Sequence, residues 1–428
     1  MRWLQVEHTT NVQGQVKING SKNSSLALLA ASCLADEPVQ LMGIPDIADI
    51  RVIENMLREA GAQVERDSFG TVHIDPRTIE SASFDPKKSS SFRASYYFVG
   101  ALLAKFGRVS IGYPGGDDFK SRPIEQHFKA LKLLGANLTF NEDHYVVEAS
   151  RLNGATIFFD MITMGATINI MLAAVRARGT TTLLNAARDP EVVDTSNLLN
   201  QMGARISGAG TDTIRIEGVT ELSGCAYTVI PDRLIAGAFL MTAGIGGGTV
   251  TVKDVIPEHL GSCVAKLREI GLHIESDDQS VTAYSDGHIK ATRIRTAMYP
   301  GFATDLQQPM TGLLLQARGK SIVSDRIYPD RFAHVAQLKR MGADITVRSG
   351  VAMIKGGLPL RGTLVHASDV RAGICLIMAG MAAEGTTSIA GIQHIERGYE
   401  NVVGAFNSIG VRISLHESGE AEGIADAR

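Results

Sequence analysis

The sequence predicts an α+β fold of two domains, each made of three copies of one repeated unit. The unit recurs six times and contains an apolar helix, a β-rich segment, a loop, an amphipathic helix that ends at a glycine, and a short strand. The closing glycines, spaced 74, 68, 68, 71 and 68 residues apart, are Gly61, Gly135, Gly203, Gly271, Gly342 and Gly410. Six copies in 428 residues are too many for one hydrophobic core, so we divide them three and three near SGCAYTVIPDRLIAGAF.

The residue pattern of one unit predicts each of its elements. First helices such as AASCLA and LIMAGMAA are apolar on nearly all sides, which predicts complete burial. The second helix, in VIENMLREA, places Val52, Ile53, Met56 and Leu57 on one stripe that should cover a sheet. The strands are short and β-branched, as in TVTV. The closing glycine supplies the left-handed residue that ends a helix. Loops at equivalent places in the units are expected to face a common cleft.

Composition and charge exclude several classes of protein. The chain has 42 Lys+Arg and 45 Asp+Glu, so its net charge of −3 gives no indication of a nucleic-acid partner. It has neither an apolar N-terminal signal region nor a run of about 18 apolar residues, which predicts a cytoplasmic protein without a membrane span. The cysteines have no paired spacing, which argues against disulfides or a zinc site and favours a reducing compartment; they are Cys33, Cys225, Cys263 and Cys375.

Two loops are candidates for anion binding and loop closure. NGSKNSS places Lys22 and Asn23 at the start of the first buried helix, where a helix N-terminus and an ammonium group favour an anion. The alternative is a solvated lysine at a helix start. YPGGDDFKSRP in the second unit contains Asp117 and Arg122 and is longer than its counterparts, which favours a mobile lid; the alternative is a plain surface turn.

Several arginines at comparable positions of the repeat can converge on one anion, because a guanidinium group binds two oxygens at once. These arginines begin helices or lie in glycine-containing turns: Arg93, Arg331, Arg371 and Arg397. Arg371 precedes a strongly apolar helix in SDVRAGICLIMAG, so its guanidinium group needs a partner. The alternative for each arginine is a structural ion pair.

Two acidic positions have competing interpretations. Asp305, in MYPGFATDLQQPM, stands just before the fifth buried helix; helix capping is the favoured interpretation, and a base for catalysis is the alternative. Asp232 and Arg233, in VIPDRL, are interpreted as a hinge ion pair between the domains. The chain has no HExxH motif, P-loop, dinucleotide fingerprint or G-x-S-x-G elbow, so it shows no sequence signature of those enzyme classes.

Ten motifs, spread over nearly the whole chain, resemble the UDP-N-acetylglucosamine 1-carboxyvinyltransferase family of bacterial enolpyruvyl transferases. The motifs are GSKNSS, FRAS, YPGGDDFKSRP, MGATINIM, NAARDPEVVD, VIPDR, YPGFATDLQ, DRFAHVAQLKRMGADI, SDVRAG and HIERGYE. The resemblance implies a two-domain inside-out α/β barrel of six βαβαββ-like units. One domain would comprise residues 21–230, with a mobile loop at about 112–123, and the other residues 1–20 with 231–428. Substrates would lie between the domains.

The resemblance also implies a reaction and its residues. The enolpyruvyl group of phosphoenolpyruvate would pass to the 3-hydroxyl of UDP-N-acetylglucosamine with release of phosphate, through a tetrahedral ketal and with no metal or organic cofactor. This is the first committed step of peptidoglycan synthesis. The phosphate and carboxylate of phosphoenolpyruvate would be bound by Lys22, Arg122, Arg331, Arg371 and Arg397. The acceptor would be bound by Asn23, Arg93, Arg122, Pro123, Ile124, Glu125, Thr163, Met164, Gly165, Asp305, Ile327 and Tyr328. The catalytic residues would be Asp117, at C3, Asp305, at the hydroxyl, Lys22 and Arg397.

Three positions depart from the family pattern. Asp117 stands where most members have a cysteine; it can replace the thiol as a general acid, but it cannot form a thioether with fosfomycin. Tyr96 or Tyr97 stands where a tryptophan is expected, and Met161 is nearest to the place of a family lysine. The last two differences fall at positions that the resemblance assigns to acceptor binding. An enolpyruvyl transferase with another acceptor, such as UMP or a shikimate-type ring, is therefore an alternative, as is a non-catalytic UDP-sugar-binding paralogue.

Overall fold

Groups of one to three short strands separate most successive helices, and the sheets contain both parallel and antiparallel pairs, as in an α+β fold. The structure is a computed structural model that describes residues 2–115 and 124–417. Its helices are α1 (Lys22–Ala31), α2 (Ala48–Ala60), α3 (Pro86–Ser90), α4 (Tyr97–Phe106), α5 (Glu125–Leu133), α6 (Met164–Ala174), α7 (Pro190–Gln201), α8 (Arg233–Thr242), α9 (Gly261–Glu269), α10 (Gln307–Leu314), α11 (His334–Arg340), α12 (Val370–Ala382), α13 (Ile392–Ile395) and α14 (Val402–Asn407).

The strands are short, in keeping with the β-branched segments between the helices. They are β1 (Arg2–Glu7), β2 (Val12–Lys17), β3 (Val39–Met42), β4 (Gln63–Arg66), β5 (Val72–Asp75), β6 (Arg108–Gly112), β7 (Asn137–Phe140), β8 (His144–Glu148), β9 (Thr156–Phe158), β10 (Thr180–Leu184), β11 (Arg205–Ser207), β12 (Thr213–Glu217), β13 (Ala226–Thr228), β14 (Gly248–Lys253), β15 (His273–Ser276), β16 (Ser280–Ser285), β17 (Arg293–Arg295), β18 (Gly319–Ser324), β19 (Asp344–Arg348), β20 (Val351–Gly356), β21 (Leu364–His366), β22 (Thr386–Ala390) and β23 (Ile413–Glu417).

The chain divides into two compact units. The first unit is Asn19–Asp232, and the second unit combines Met1–Ile18 with Arg233–Arg428. In the first unit, the strand orders of the sheets are β13-β3-β5-β4, β6-β8-β7 and β11-β12-β10-β9. The apolar helices α1, α4 and α6 are almost completely buried, and α4 packs against both of the others. These helices are the ones for which the sequence predicts burial, and that prediction is confirmed.

The second unit repeats the arrangement. Its sheets have the orders β15-β16-β14-β2, β17-β18-β20-β19 and β21-β22-β1-β23. Its buried apolar helices are α8, α10 and α12, with α10 packed against both of the others. The N-terminal strands belong to this unit because β1 pairs antiparallel with β22 and β23, and β2 pairs parallel with β14. In both units, strands such as β12 bury alternate residues, so that one face of each packs on the core.

The closing glycines have the predicted backbone conformation. All six have positive φ, between 83° and 112°, which confirms that each supplies a left-handed residue after its amphipathic helix. One detail of the helix prediction is wrong: α2 buries Ile50, Ile53, Met56 and Leu57, whereas Val52 is only half-buried. In the described parts of the chain, every helix is too short or too polar to cross a membrane. The four cysteines are unpaired thiols.

Gly203 tests the role of the closing glycines. A Cβ added there would meet no atom within 4 Å, but φ is +104°, so strain of the backbone is its only cost. We expect Gly203→Ala to lower the free energy of unfolding by about 1–2 kcal/mol in urea denaturation. Gly261 is the matched control because it also has open space, with φ −49° and ψ −51°. Gly261→Ala should lose no stability, and equal losses in the two variants would contradict the assignment.

Candidate active site

Lys22 is held in an ion pair at the start of α1. Its Nζ lies 2.6 Å from Oδ2 of Asp49, and the two side chains are only 14% and 6% exposed. The backbone N–H of Lys22 donates to Oδ2 of Asp232 at 3.1 Å. Ser21 caps the helix by accepting from the N–H of Ser24, and Asn23 follows as a half-buried residue. The interpretation of Lys22 as a solvated lysine is therefore wrong.

Asp49 is a site residue that the sequence analysis missed. It stands in the first turn of α2, four residues before Ile53, and both are buried on the same side of the helix. An acidic residue on the apolar stripe of an amphipathic helix is the signal that could have found it, because a carboxylate there needs a charged or hydrogen-bonding partner. Its partner Lys22 lies on the preceding helix.

Asp305 lies between two buried arginines in the second unit. Nη1 of Arg331 donates to Oδ1 of Asp305 at 2.6 Å, and Nε of Arg371 donates to Oδ2 at 3.2 Å. The arginine side chains are 5% and 6% exposed, and that of Asp305 is 26% exposed. The prediction that Arg371 needs a partner is confirmed. The capping interpretation of Asp305 is wrong, because Leu306 occupies the N-cap of α10 and Asp305 lies in a 3₁₀ turn before it.

The two arginines determine the protonation of Asp305. Burial on its own raises the pKa of the carboxyl group, but the positive charges and hydrogen bonds of Arg331 and Arg371 outweigh it and hold the pKa far below its usual value. Asp305 is therefore ionised, and it is a weak base for as long as both arginines bind it.

Asp369 fixes the backbone from which Arg371 extends. Its Oδ1 accepts from the N–H groups of Arg371 and Ala372 at 2.9 and 3.0 Å, which caps α12. Its Oδ2 accepts from Nε2 of Gln308 at 3.3 Å. The neighbouring His334 is buried, and burial together with the charge of Arg331 lowers its pKa to about 4 against the opposing effect of Asp369. His334 is thus neutral near pH 7.

In the first unit, an aromatic cluster joins Arg93 to the start of α6. The guanidinium group of Arg93 lies 5.9 Å from the ring centre of Tyr96, and this ring packs edge-on against His127 at 4.6 Å. A Cβ at Gly165 would lie 2.4 Å from the hydroxyl oxygen of Tyr96, so only glycine fits under this tyrosine. Thr163, at the N-cap of α6, accepts from a backbone N–H two residues after Met164 within that helix. Two predicted acceptor-binding positions, Arg93 and Gly165, therefore meet at Tyr96.

His127 is a second residue that the sequence analysis missed. Burial and the nearby charge of Arg93 lower its pKa to about 3, so the ring is neutral. Its Nδ1 lies 3.0 Å from the side-chain amide nitrogen of Asn169. The sequence pattern that could have identified it is a histidine on the buried side of an amphipathic helix.

The other predicted positions lie in turns and helix starts. Ile327 and Tyr328 are half-buried and follow the buried Asp325; Arg397 is half-buried in the turn after α13. Ile124 precedes α5, whose first residue, Glu125, is exposed. The predicted residues that lie outside the described residues are Asp117, Arg122 and Pro123.

The two predicted hinge residues each have a described contact. Asp232 accepts a hydrogen bond from the backbone N–H of Lys22, and the guanidinium group of Arg233 lies 5.2 Å from the ring centre of Tyr299.

Two buried arginines and one carboxylate are brought together in the second unit, and Lys22 pairs with Asp49 in the first. Among residues 2–115 and 124–417, no three His, Cys, Asp or Glu side chains are grouped to hold a metal ion. A family model described as EPSP synthase (3-phosphoshikimate 1-carboxyvinyltransferase) matches residues 6–406. The chain belongs to this family of enolpyruvyl transferases.

Within that family, the chain is similar to proteins named UDP-N-acetylglucosamine 1-carboxyvinyltransferase 2. The Bacillus subtilis protein is 45% identical over 414 residues, which are 96% of each chain. The Geobacillus kaustophilus protein is 46% identical over 402 residues, which are 94% of each chain.

Solved structures confirm the predicted enolpyruvyl transferase fold. The enolpyruvyl transferase NikO from Streptomyces tendae is 23% identical, with a TM-score of 0.88 over 98% of this chain and 99% of that one. EPSP synthase from Acinetobacter baumannii is 20% identical, with a TM-score of 0.72 over 97% of this chain and 100% of that one. At these identities the likeness concerns the fold.

The ion cluster at Asp305 predicts a pH-dependent stability. Asp305→Asn removes the carboxylate that both buried guanidinium groups bind, so we expect the free energy of unfolding to fall by about 3 kcal/mol. Because the pKa of Asp305 is lowered in the folded state, this stabilisation is complete above the unfolded pKa of about 4 and is lost as the pH falls through the folded pKa. Urea denaturation of both proteins should therefore give a constant difference from about pH 5 to 8 and a smaller one below about pH 4.

The exposed Asp330 on the same segment supplies the control. Asp330→Asn should match the wild type at each pH, because an exposed carboxylate contributes little. A stability difference at Asp305 that grows on acidification would contradict the ion-pair account.

Proposed function

We propose that this protein transfers the enolpyruvyl group of phosphoenolpyruvate to the 3-hydroxyl of UDP-N-acetylglucosamine and releases phosphate. Two lines support the proposal. Relatives with that activity in their names match 96% of the chain at 45% identity. The single structural observation that supports it is the carboxylate of Asp305 bound by two buried arginines, because cations that bind one carboxylate suit the carboxylate or phosphate of a substrate.

The first chemical step would be an addition. The oxygen of the acceptor hydroxyl attacks C2 of phosphoenolpyruvate and gives its proton to Asp305, while C3 receives a proton from Asp117. The product is a tetrahedral ketal that still carries the phosphate. Positive charge develops at C2 during this step, and the carboxylate and phosphate that flank C2 need fixed cations. We assign that role to Lys22, Arg122, Arg331, Arg371 and Arg397.

The second step would be an elimination. The bond from C2 to the phosphate oxygen breaks, the phosphate leaves with the electron pair, and C3 returns a proton to Asp117, while Asp305 releases the hydroxyl proton to solvent. The enol ether of the acceptor remains. One residue thus serves as acid in the addition and as base in the elimination, which requires that the same group stays at C3 throughout.

Substrate binding would strengthen Asp305 as a base. In the structure, the carboxylate of Asp305 occupies both Arg331 and Arg371. A substrate carboxylate that takes over one of these arginines removes part of the positive charge from Asp305, and its pKa then rises towards the usual value. The base would therefore reach its full strength when the anionic substrate is bound.

The acceptor would use two groups of residues. In the first unit these are Asn23, Arg93, Ile124, Glu125 and the segment 163–165, together with Arg122 and Pro123. In the second unit they are Ile327 and Tyr328, beside Asp305. Tyr96 supports the proposed uridine-binding segment through its contact with Gly165. We also propose a cytoplasmic location, because the four unpaired cysteines suit a reducing compartment.

A panel of acceptors tests the proposed substrate. With phosphoenolpyruvate present, we expect phosphate release with UDP-N-acetylglucosamine and none with UMP, with shikimate 3-phosphate or without acceptor. Phosphate should match the enol ether product mole for mole. Release with UMP or shikimate 3-phosphate alone would assign another acceptor, and binding of UDP-N-acetylglucosamine without phosphate release would indicate a non-catalytic paralogue.

Asp117→Asn tests the proton transfer at C3. We expect turnover to fall by roughly 10²–10⁴-fold, because general acid–base catalysis contributes that much. Asp118→Asn changes the adjacent residue in the same way and should have a far smaller effect. Undiminished turnover in Asp117→Asn would remove Asp117 from the mechanism.

The same position predicts resistance to fosfomycin. The wild type should show no time-dependent inactivation, because a carboxylate at position 117 cannot form the thioether. Asp117→Cys supplies the positive control and should be inactivated covalently, as detected by intact-protein mass spectrometry. Covalent labelling of the wild type within residues 113–123 would contradict the assignment.

A further inference from the structure

Asp325 is a buried carboxylate whose hydrogen-bond donors, among the described residues, are all neutral. It follows β18 directly and is 1% exposed. Its Oδ1 accepts from the hydroxyl of Thr296 at 2.8 Å and from the N–H groups of Ile327 and Tyr328 at 2.9 Å each. Its Oδ2 accepts from the hydroxyl of Thr304 at 2.7 Å. Burying the oxygens of a carboxyl group is costly unless they accept hydrogen bonds, and four donors meet that need here.

The hydroxyl of Thr304 connects Asp325 to the ion cluster. It donates to Asp325 and accepts from Nη1 of Arg331 at 3.3 Å. A hydroxyl group has one proton, so giving it to Asp325 leaves a lone pair directed at the guanidinium group. The same Nη1 atom donates to Asp305 at 2.6 Å. An unbroken series of hydrogen bonds therefore runs from Asp325 through Thr304 and Arg331 to Asp305.

Asp325 also fixes the backbone that leads to Arg331. By accepting from the N–H groups of Ile327 and Tyr328, it closes a turn immediately after β18. The carbonyl of Tyr328 in turn accepts from the N–H of Arg331 at 3.0 Å, and the guanidinium group of Arg331 lies 5.9 Å from the ring centre of Tyr328. Oδ1 of Asp325 thus fixes the start of the segment that leads to Arg331. Oδ2 fixes the hydroxyl of Thr304, which accepts a hydrogen bond from the side chain of Arg331.

We infer that Asp325 is a positioning residue for the transfer reaction: it orients Arg331 through Thr304 and thereby sets the place of Asp305. This inference rests on the proposed function. Asp325 would not contact the substrate, so substitution of Asp325 should lower kcat rather than raise KM. A small displacement of aligned groups can cost about 10²-fold in rate.

Asp325→Asn distinguishes the roles of the two carboxylate oxygens. The amide oxygen can keep the three bonds of Oδ1, so the Ile327–Tyr328 turn is retained. The amide NH₂ group replaces Oδ2 and cannot accept from Thr304, whose hydroxyl then faces donors on both sides. We expect kcat to fall by about 10- to 100-fold, with KM for UDP-N-acetylglucosamine within about threefold of the wild type because the turn is intact.

Thr304 supplies variants that avoid a folding defect at Asp325. Thr304→Val removes the hydroxyl at nearly constant shape and should lower kcat as Asp325→Asn does, whereas Thr304→Ser keeps the hydroxyl and should restore it to within about threefold. The double variant Asp325→Asn with Thr304→Val should lose no more than the worse single variant, because both break the same series of bonds. Asp344→Asn, an exposed substitution in the same unit, controls for the loss of one negative charge.

The outcomes separate this inference from the proposed function. If the wild type is active and kcat is unchanged in both Asp325→Asn and Thr304→Val, the positioning role is wrong and the proposed function stands. A lower melting temperature with normal kcat would show that Asp325 is only structural and would overturn the inference. If the wild type releases no phosphate with any acceptor, the proposed function is wrong and the inference falls with it.

Discussion

Two guanidinium groups that are almost completely removed from water have to share a negative charge, and in this protein the chain itself supplies it. Arg331 and Arg371 both bind Asp305, and Lys22 in the other unit binds Asp49. Burying a cation without a partner costs several kcal/mol, so a fold that keeps cations ready for a substrate needs internal counterions while the substrate is absent. The position of Asp305 follows from that requirement.

The internal carboxylates also limit which ligands can bind. An anionic ligand of Arg331 or Arg371 would meet arginines that Asp305 already binds. Any such ligand must compete with a carboxylate that is already aligned within hydrogen-bond distance. A singly charged anion gains little from the exchange, because it replaces one ion pair by another. A substrate with a carboxylate and a phosphate makes more contacts than it displaces, which favours a phosphorylated acid.

Local patterns made most of the fold predictable. The apolar helices, the amphipathic helices and their closing glycines each depend on residues within one or two turns, so the sequence contains the information directly. The site was less predictable because its contacts join distant residues. Asp305 has the local pattern of a helix cap, but arginines 26 and 66 residues further along bind it instead. Asp49 and Asp325 lie outside the quoted motifs, and only the folded chain shows what they bind.

Buried carboxylates with neutral partners have a different role from those paired with cations. In the first unit, Asp194 accepts from the hydroxyls of Ser24 and Tyr227 and from the N–H of Ile230. Burial raises the pKa of Asp194 despite these bonds, whereas the arginines at Asp305 reverse the effect of burial.

Ser24 directly follows Asn23 on α1, just as Thr304 directly precedes Asp305. In each unit, therefore, a buried aspartate accepts a hydrogen bond from a hydroxyl group next to a proposed substrate-binding residue: Asp194 from Ser24, and Asp325 from Thr304. Hydrogen bonds from neutral donors thus fix the backbone and the hydroxyl groups around Asp194 and Asp325.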